Sequence, residues 1–509
     1  MPYITGENRN QQHFLPEILD DYVGEENPVR VIDAFFDSLD IEEIGFTKTN
    51  LNRRGAPSYN PADLAKLYLY GSMNNVRSSR KLERETHVNI EVMWLMKKLK
   101  PDFKTIADFR KENKNQLKRV FKQFNVLCKE WNLFSRERIA VDGTKIRADN
   151  SKRNNYNKKK VERQLKYIDE KTEEYLKSLD ENDKTDEVKP KYTAEEIREK
   201  IKLLKQRKEF YESLQKDLEN NEDNEISTTD PDARMMDNKK NGLEVNYNVQ
   251  IAVDEKEKLI LATSVTNKPA DQGHLNDMTQ AAKEMLDMDE KEKFEALADK
   301  GYYQGEDLKK CDENGTITYV TKQVYANATG IREYYSDKFK YNPEEDVYIC
   351  PEGEILYPQK HRKKNLDRVK YKNFSACHKC PKKDLCTKSK KGRVITRGKY
   401  QDFLDTVDAR TAQNMDKYLE RQMIVEHPFG TVKRTMGVSY FLTRGLESVN
   451  GEAHLIFLAY NMKRVINILG VKEILKKLEA KKAFFLLYFL KRKQISVNIL
   501  KSEKYSVVL

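Results

Sequence analysis

The chain has 509 residues, enough for three or four domains and more than one sizeable core. Charged residues make up 35%, and the longest apolar run, Ala483–Leu490, falls far short of the roughly 20 residues a spanning helix needs, so an integral membrane protein is not expected. With 38% hydrophobic residues, 27 Tyr and 20 Phe a disordered chain is excluded, and the net charge of +12 suggests a polyanionic partner only where the basic residues cluster.

Residues 1–135 read as a helical domain. Asn60 and Pro61 cap and open a helix through Tyr70 that Gly71 is expected to stop. Further helical pieces are Ser78–Arg84, Val92–Met96 and Thr105–Trp131, and the short helices carrying Arg77, Arg80, Lys81 and Arg84 resemble a helix-turn-helix unit, which suits a DNA groove.

A strand is predicted at Arg138–Ile146, in a segment 136–150 that ends the helical texture. Residues 151–226 form a charged insertion. Val161, Leu165, Ile168, Tyr175 and Leu179 keep a heptad-like spacing, as do Ile197, Ile201, Leu204, Tyr211, Leu214 and Leu218, and Thr193 with Glu196 makes a capping box between them. The prediction is a helical hairpin. Strands resume at Val245–Val253 and Leu259–Thr266, followed by a helix at 274–286, a strand at Phe294–Asp299, a second helix and a strand at Thr316–Val320. Three strands, helix, strand, helix, strand is the order of a ribonuclease H-like mixed α/β sheet. A doubly wound nucleotide fold would alternate strictly, and no glycine-rich phosphate loop stands where one would be needed.

Residues 331–400 are basic and poor in periodic apolar positions. They hold four of the six cysteines, Cys350, Cys377, Cys380 and Cys386, with one C-x2-C pair, a donor set that suits structural Zn²⁺. Reduced, unligated thiols are the equal alternative. Basic runs at Lys152–Arg153, Lys158–Lys160, His361–Lys364, Lys382–Lys383 and Lys388–Arg393 fit DNA phosphates or simply solvated surface.

Two carboxylates end predicted strands, Asp142 in Ala-Val-Asp-Gly-Thr and Asp299 in Ala-Leu-Ala-Asp-Lys-Gly. Neighbouring strands would bring them together as ligands of a Mg²⁺ or Mn²⁺ pair, although Asp at a strand end is also an ordinary turn residue. A third acid, Glu426, lies in a largely helical stretch with Lys433 two turns on.

Ala-Val-Asp-Gly-Thr, Ala-Asp-Lys-Gly-Tyr and Val-Glu-His-Pro-Phe-Gly-Thr-Val-Lys-Arg resemble the three catalytic blocks of bacterial insertion-sequence transposases of the DDE class. Pro57–Pro61, Leu67–Gly71, Arg77–Glu83 and Thr105–Lys111 resemble that family's helical N-terminal domain. Thr229–Ala233, Tyr247–Gln250, Arg444-Gly445 and Leu458–Arg464 resemble its later segments. The resemblance implies a catalytic triad of Asp142, Asp299 and Glu426, with DNA contacts at Lys433, Arg434, Arg77, Arg80 and Lys81. It also implies cleavage and strand transfer on double-stranded DNA by a homo-oligomer. The core would be split as 136–150 with 227–330, and 401–470, leaving a tail at 471–509. The family's Tyr-x2-Arg-x3-Glu-x6-Lys signature is met at Tyr418, Arg421 and Lys433 but with four residues before Glu426, which leaves the role of Arg421 open. Asp230 and Asp232 read as turn residues around Pro231, and His427 as a structural or substrate contact. A transposase-derived DNA-binding protein without chemistry, or a nuclease that only hydrolyses, are the rival readings. No secretory signal is readable in the first residues, and a cytoplasmic, nucleoid-associated protein is expected.

Overall fold

Side-chain caps start the helices. In the computed structural model, which describes residues 18–47, 58–182, 192–220, 225–238, 242–359 and 368–482, Asn27 accepts from the Val29 amide at 2.9 Å ahead of α1 (Pro28–Asp37). Asn60 accepts from Ala62 at 2.9 Å ahead of α2 (Pro61–Met73). Both helices place Pro first, where its missing N–H has no helical partner to lose. Gly71 does not stop α2. A Cβ there would sit 2.3 Å from the Val76 carbonyl and 2.5 Å from Leu82, so this glycine lets the following turn pack against the helix. Every residue of α2 is buried, and Lys66 is held by Asp33 at 2.6 Å and Asp37 at 2.7 Å.

Next come α3 (Ser79–Val88), α4 (Ile90–Leu95), α5 (Phe103–Glu112) and α6 (Lys114–Glu130). The predicted run Thr105–Trp131 is thus two helices. Buried Asn113 breaks it, donating to the Phe109 carbonyl at 2.8 Å while accepting from the Thr47 amide at 2.8 Å.

Strand β1 (Arg138–Arg147) enters the main sheet. The hairpin helices α7 (Lys158–Asn182) and α8 (Ala194–Glu219) follow, with Val161, Leu214 and Leu218 closing a small core around Tyr156. The Thr193–Glu196 capping box forms as expected. The sheet resumes with β2 (Arg234–Asn238), β3 (Gly242–Asp254) and β4 (Ile260–Thr266), then α9 (Leu275–Met285), β5 (Phe294–Ala298), α10 (Gly305–Glu313) and β6 (Thr316–Val320). The β2 strand was not predicted.

Among the described residues the order across this sheet is β2-β3-β1-β5-β6, with β4 on the same edge of β3 as β2. β3 runs antiparallel to β1, whereas β5 is parallel to both β1 and β6. The register aligns Val141 of β1 with Ala298 of β5.

A second sheet of short strands has the simple order of a meander: β7 (Lys340–Asn342), β8 (Val347–Ile349), β9 (Ile355–Pro358), β10 (Arg368–Lys372) and β11 (Val394–Gly398). Two short helices, α11 (Phe374–Lys379) and α12 (Lys383–Cys386), lie between its last two strands. The chain returns to the main sheet through α13 (Gln401–Gln413) and α14 (Met415–Gly430), which continues into a wider π-helical turn at Thr431–Thr435. Finally α15 (Leu446–Leu469), buried along its middle, packs against α6, α2 and β4. One continuous core therefore runs from Val23 through the sheet to Leu478.

The basic run His361–Lys364, the apolar run Ala483–Leu490 and much of the polar stretch 180–191 lie outside the described residues. No described helix is long and apolar enough to cross a membrane.

Candidate active site

Asp299 directly follows β5, whereas Asp142, expected at a strand end, lies inside β1, which runs on to Arg147 paired with β3. Asp142 and Asp299 each stand one step beyond the paired Val141 and Ala298, on adjacent parallel strands. Each carboxylate is first held by the next backbone amide, Asp142 by Gly143 at 2.8 Å and Asp299 by Lys300 at 2.6 Å. Burial pushes the Asp142 carboxyl up to about 6, with Asp299 and Asp271 adding to the rise and Arg421 opposing it. Arg421, on α14, reaches Asp142 Oδ2 at 3.8 Å. This answers the spacing question for that residue: it is a counter-charge to the first acid.

Asp271 is the residue the sequence reading missed. It follows β4 in a loop and takes hydrogen bonds on Oδ1 from Asn248 at 2.8 Å and Gln250 at 2.9 Å, both on β3. The Gln250 amide is oriented in turn by Asn248 at 3.1 Å and by the Tyr302 hydroxyl. The glycines beside the two motif acids make room for this carboxylate. A Cβ on Gly143 would fall 2.6 Å from Asp271 Oδ1 and 2.4 Å from Gln250 Nε2, and one on Gly301 would lie 3.2 Å from Asp271 Oδ2. The available signal was an acid in the loop between the third strand and its helix, opposite two Gly-bearing motifs.

Glu426 is on α14, which packs over β1 and β5. Its exposed carboxylate accepts from Gln422 at 2.6 Å. Among the described residues no hydrogen bond or ion pair joins it to Asp142 or Asp299, and no group of three or more His, Cys, Asp or Glu side chains is positioned to hold a metal ion as it stands. Lys433, in the π-helical turn, donates to Thr144 Oγ1, two residues along β1 from Asp142. Arg434 beside it is exposed.

Other candidates serve the frame. His427 bonds Tyr460 at 2.8 Å, and burial lowers its basicity, an effect that Arg464 and Lys258 reinforce. Asp230 takes the Tyr247 hydroxyl at 2.8 Å and the Gly445 amide at 3.0 Å, while Asp232 takes Leu446 N at 2.7 Å, so both fix the start of α15. Arg77, expected at a DNA phosphate, spends its guanidinium inside the protein. It donates to the Tyr440 carbonyl at 2.7 Å and to buried Glu452 at 2.9 Å. Arg80 and Lys81 are exposed on α3, with Arg80 over the Phe103 ring at 5.0 Å.

The four grouped cysteines are free thiols that all line one small cavity beside the second sheet. Cys128 and Cys311 are buried in the main core, where burial pushes the Cys311 thiol up to about 12.

No curated protein matches the chain. Residues 349–466 match the family described as Transposase DDE domain, and residues 17–112 match the Transposase domain (DUF772). The first match covers the cysteine-bearing sheet and the helices that carry Arg421, Glu426 and Lys433; the second covers most of the N-terminal helices. Both matched segments are thus similar to transposase domains, which supports the resemblance to insertion-sequence transposases of the DDE class.

Proposed function

We propose that the protein cuts and joins DNA at the ends of its own element, using Asp142, Asp299 and Glu426 on a ribonuclease H-like core. The observation that carries this is the parallel register of β1 and β5, which sets Asp142 and Asp299 each one step beyond the paired Val141 and Ala298. The strand sequence β4-β3-β1-β5-β6, in which β3 alone runs against the others and β2 shares its edge with β4, supports the ribonuclease H-like reading.

Carboxylates such as Asp142 and Asp299, with Glu426 on the helix packed over β1 and β5, are the hard oxygen donors that Mg²⁺ or Mn²⁺ takes while keeping several waters. Bound there, the ions would polarise the attacking hydroxyl and offset charge on the leaving oxygen. The chain's own residues do the rest. Arg421 offsets the Asp142 charge while the acids stand alone. Asp271, clamped by two amides, fixes the floor between Gly143 and Gly301. Glu426, exposed and tied only to Gln422, completes the set by a side-chain rotation from α14. Lys433 and Arg434 meet the phosphate backbone near the scissile bond, and Arg80 and Lys81 meet it further along the duplex.

Both reaction steps are in-line displacements at phosphorus. Water first displaces a 3′ oxygen, which leaves with a proton. The freed 3′ hydroxyl then displaces an oxygen of the target strand. Handling two element ends calls for one set of acids per end, and this chain has one set, so the working form on DNA is a homo-oligomer.

A strand-transfer assay with element-end DNA and Mg²⁺ or Mn²⁺ tests the reading. Joined products support it. Cutting without joining would assign a hydrolytic nuclease, and binding with neither would assign a DNA-binding descendant without chemistry.

A further inference from the structure

The second sheet has little to hold it together. Its buried cluster is Phe339, Tyr348, Leu356, Tyr371 and Ile395, against a main core that runs through nearly the whole chain. Its strands are three to five residues long, and the connections between them carry α11 and α12, neither of which buries a residue fully. A unit of this size needs a staple.

Four thiols face one another where such a staple would go. Cys350, Cys377, Cys380 and Cys386 line a single cavity of about 40 Å³, bordered also by Lys383 and Arg393. That volume exceeds the roughly 10–15 Å³ that one small occupant needs. None of the four is in a disulfide.

The turns around them are shaped for sulfur as an acceptor. After Cys350 the chain reverses through Gly353, at φ +85°, with Gly353 N bonding the Cys350 carbonyl at 2.9 Å. The Glu354 amide then points at Cys350 Sγ, 3.3 Å away. Cys377 and Cys380 share the end of α11, with Cys380 N bonding the Cys377 carbonyl at 3.4 Å. Gly392, at φ +123°, passes so close that a Cβ would lie 2.7 Å from Cys377 Cβ. The third segment brings Cys386 from the end of α12 to the same cavity.

We infer that these four cysteines form a structural zinc site that clamps β8, α11 and α12 together. As they stand the sulfurs surround the cavity without meeting at one point. Binding a divalent cation, the four would release their protons to solvent and close on it as thiolates in a tetrahedral set. Lys383 and Arg393 at the rim offset the net negative charge of four thiolates on Zn²⁺. Cysteine sulfur selects zinc over the magnesium expected at the strand-end acids, so the two sites do not compete.

The test uses the full chain purified without chelator, and its readouts are independent of any reaction on DNA. Elemental analysis is expected to give one zinc per chain. Replacing zinc by cobalt should give the intense sulfur-to-cobalt charge-transfer absorption of a four-thiolate tetrahedral site. The paired substitution Cys377→Ser with Cys380→Ser should remove both signals while far-ultraviolet circular dichroism keeps the helical content of the main core. If the paired variant fails to fold, the wild-type cobalt spectrum and protection of four thiols from alkylation by added Zn²⁺ decide alone. Absence of zinc with all four thiols equally reactive whether or not Zn²⁺ is added would overturn the proposal. So would a mass spectrum showing Cys350, Cys377, Cys380 or Cys386 paired as native disulfides.

Discussion

The strand-end acids and the cysteine cavity are both clusters of ionisable groups, yet they stand in opposite surroundings. The acids sit on a sheet whose core is continuous from the N-terminal helices to α15. That frame can hold like charges at close range: burial raises the cost of ionising Asp142, Arg421 opposes it, and the neighbouring Asp299 and Asp271 add to it. The cysteines sit on a sheet with five core side chains, and there the ionisable cluster stabilises the frame. In the first region the fold supports the site; in the second the site supports the fold. Breaking each site should therefore do different things.

The largest effect expected is catalytic. Asp142→Asn or Asp299→Asn should lower cleavage by roughly 10³-fold or more, at least the scale of losing one transition-state-stabilising group. Thermal unfolding should hardly move, since the asparagine fills the same volume and can still accept from the next backbone amide. A large drop in Tm for either variant would show that these acids belong to the frame, and the contrast between the regions would fail.

Arg77 sharpens the contrast from the other side. Its guanidinium meets Glu452, which is 3% exposed and also accepts from the amides of Leu442 and Thr443. Arg77→Ala removes a buried partner and should cost about 3 kcal/mol of stability, the low end for breaking a buried pair. Denaturant midpoints measure this. DNA binding by the folded fraction should keep its salt dependence, because this arginine faces α15.

Much of this was legible in the sequence. Asn-Pro at Asn60 and Pro61 marks a helix start by chemistry that is entirely local, and β1, β3 and β4 are visible from their runs of β-branched and other apolar residues, although β3 is buried on both faces. The three acidic blocks were readable because each couples an acid to a glycine or a helix in a fixed order. What could not be read depends on contacts between distant residues. Gly71 looks like a helix stop until Val76 and Leu82 are seen against it. Arg77 looks like a surface base until Glu452, far along the chain, is placed beside it. Asp271 has no motif of its own; its role emerges only when Gly143, Asn248, Gln250 and Gly301 are brought around it.

His454 gives a smaller effect that acts on the main core. It is 3% exposed on α15, bonded to the Asn450 carbonyl at 2.8 Å with its ring edge-on to Phe121. Burial lowers its pKa from 6.5 to about 4, an effect opposed by the Asn450 carbonyl and assisted by nearby Lys118. The folded value is depressed, so the stability is fully present above pH 6.5 and is lost as pH falls toward 4, where the unfolded chain binds a proton the folded chain refuses. Between pH 7 and pH 5 the loss should be about 2 kcal/mol. The buried carboxyls of Asp142 and Asp254, both raised to about 6, act in the opposite direction over the same range. The measurement is therefore the difference between the wild type and His454→Gln: the variant should lose less stability on acidification. Equal pH profiles would mean that the imidazole is protonated in place.

The smallest effect separates the exposed bases from the buried one. Arg80 and Lys81 lie on the solvent face of α3, outside the core that Leu82 joins. Their replacement by Ala should leave the denaturant midpoint within about 0.5 kcal/mol, the usual range for surface changes. Each side chain that meets a phosphate releases counterions, so losing both should flatten the dependence of log K on log salt by roughly two phosphate contacts, or about 1.8 in slope. Titrations of element-end duplex at a series of salt concentrations read this directly. The paired outcome matters more than either alone. If Arg80→Ala with Lys81→Ala changes the slope while Arg77→Ala changes only stability, the loop before α3 and its first turn divide the work: one base braces α15 and the other two face the duplex. An unchanged slope in the double variant would move end recognition away from α3, toward the basic residues 382–393 that border the cysteine cavity. Loss of zinc should then weaken DNA binding together with the second sheet.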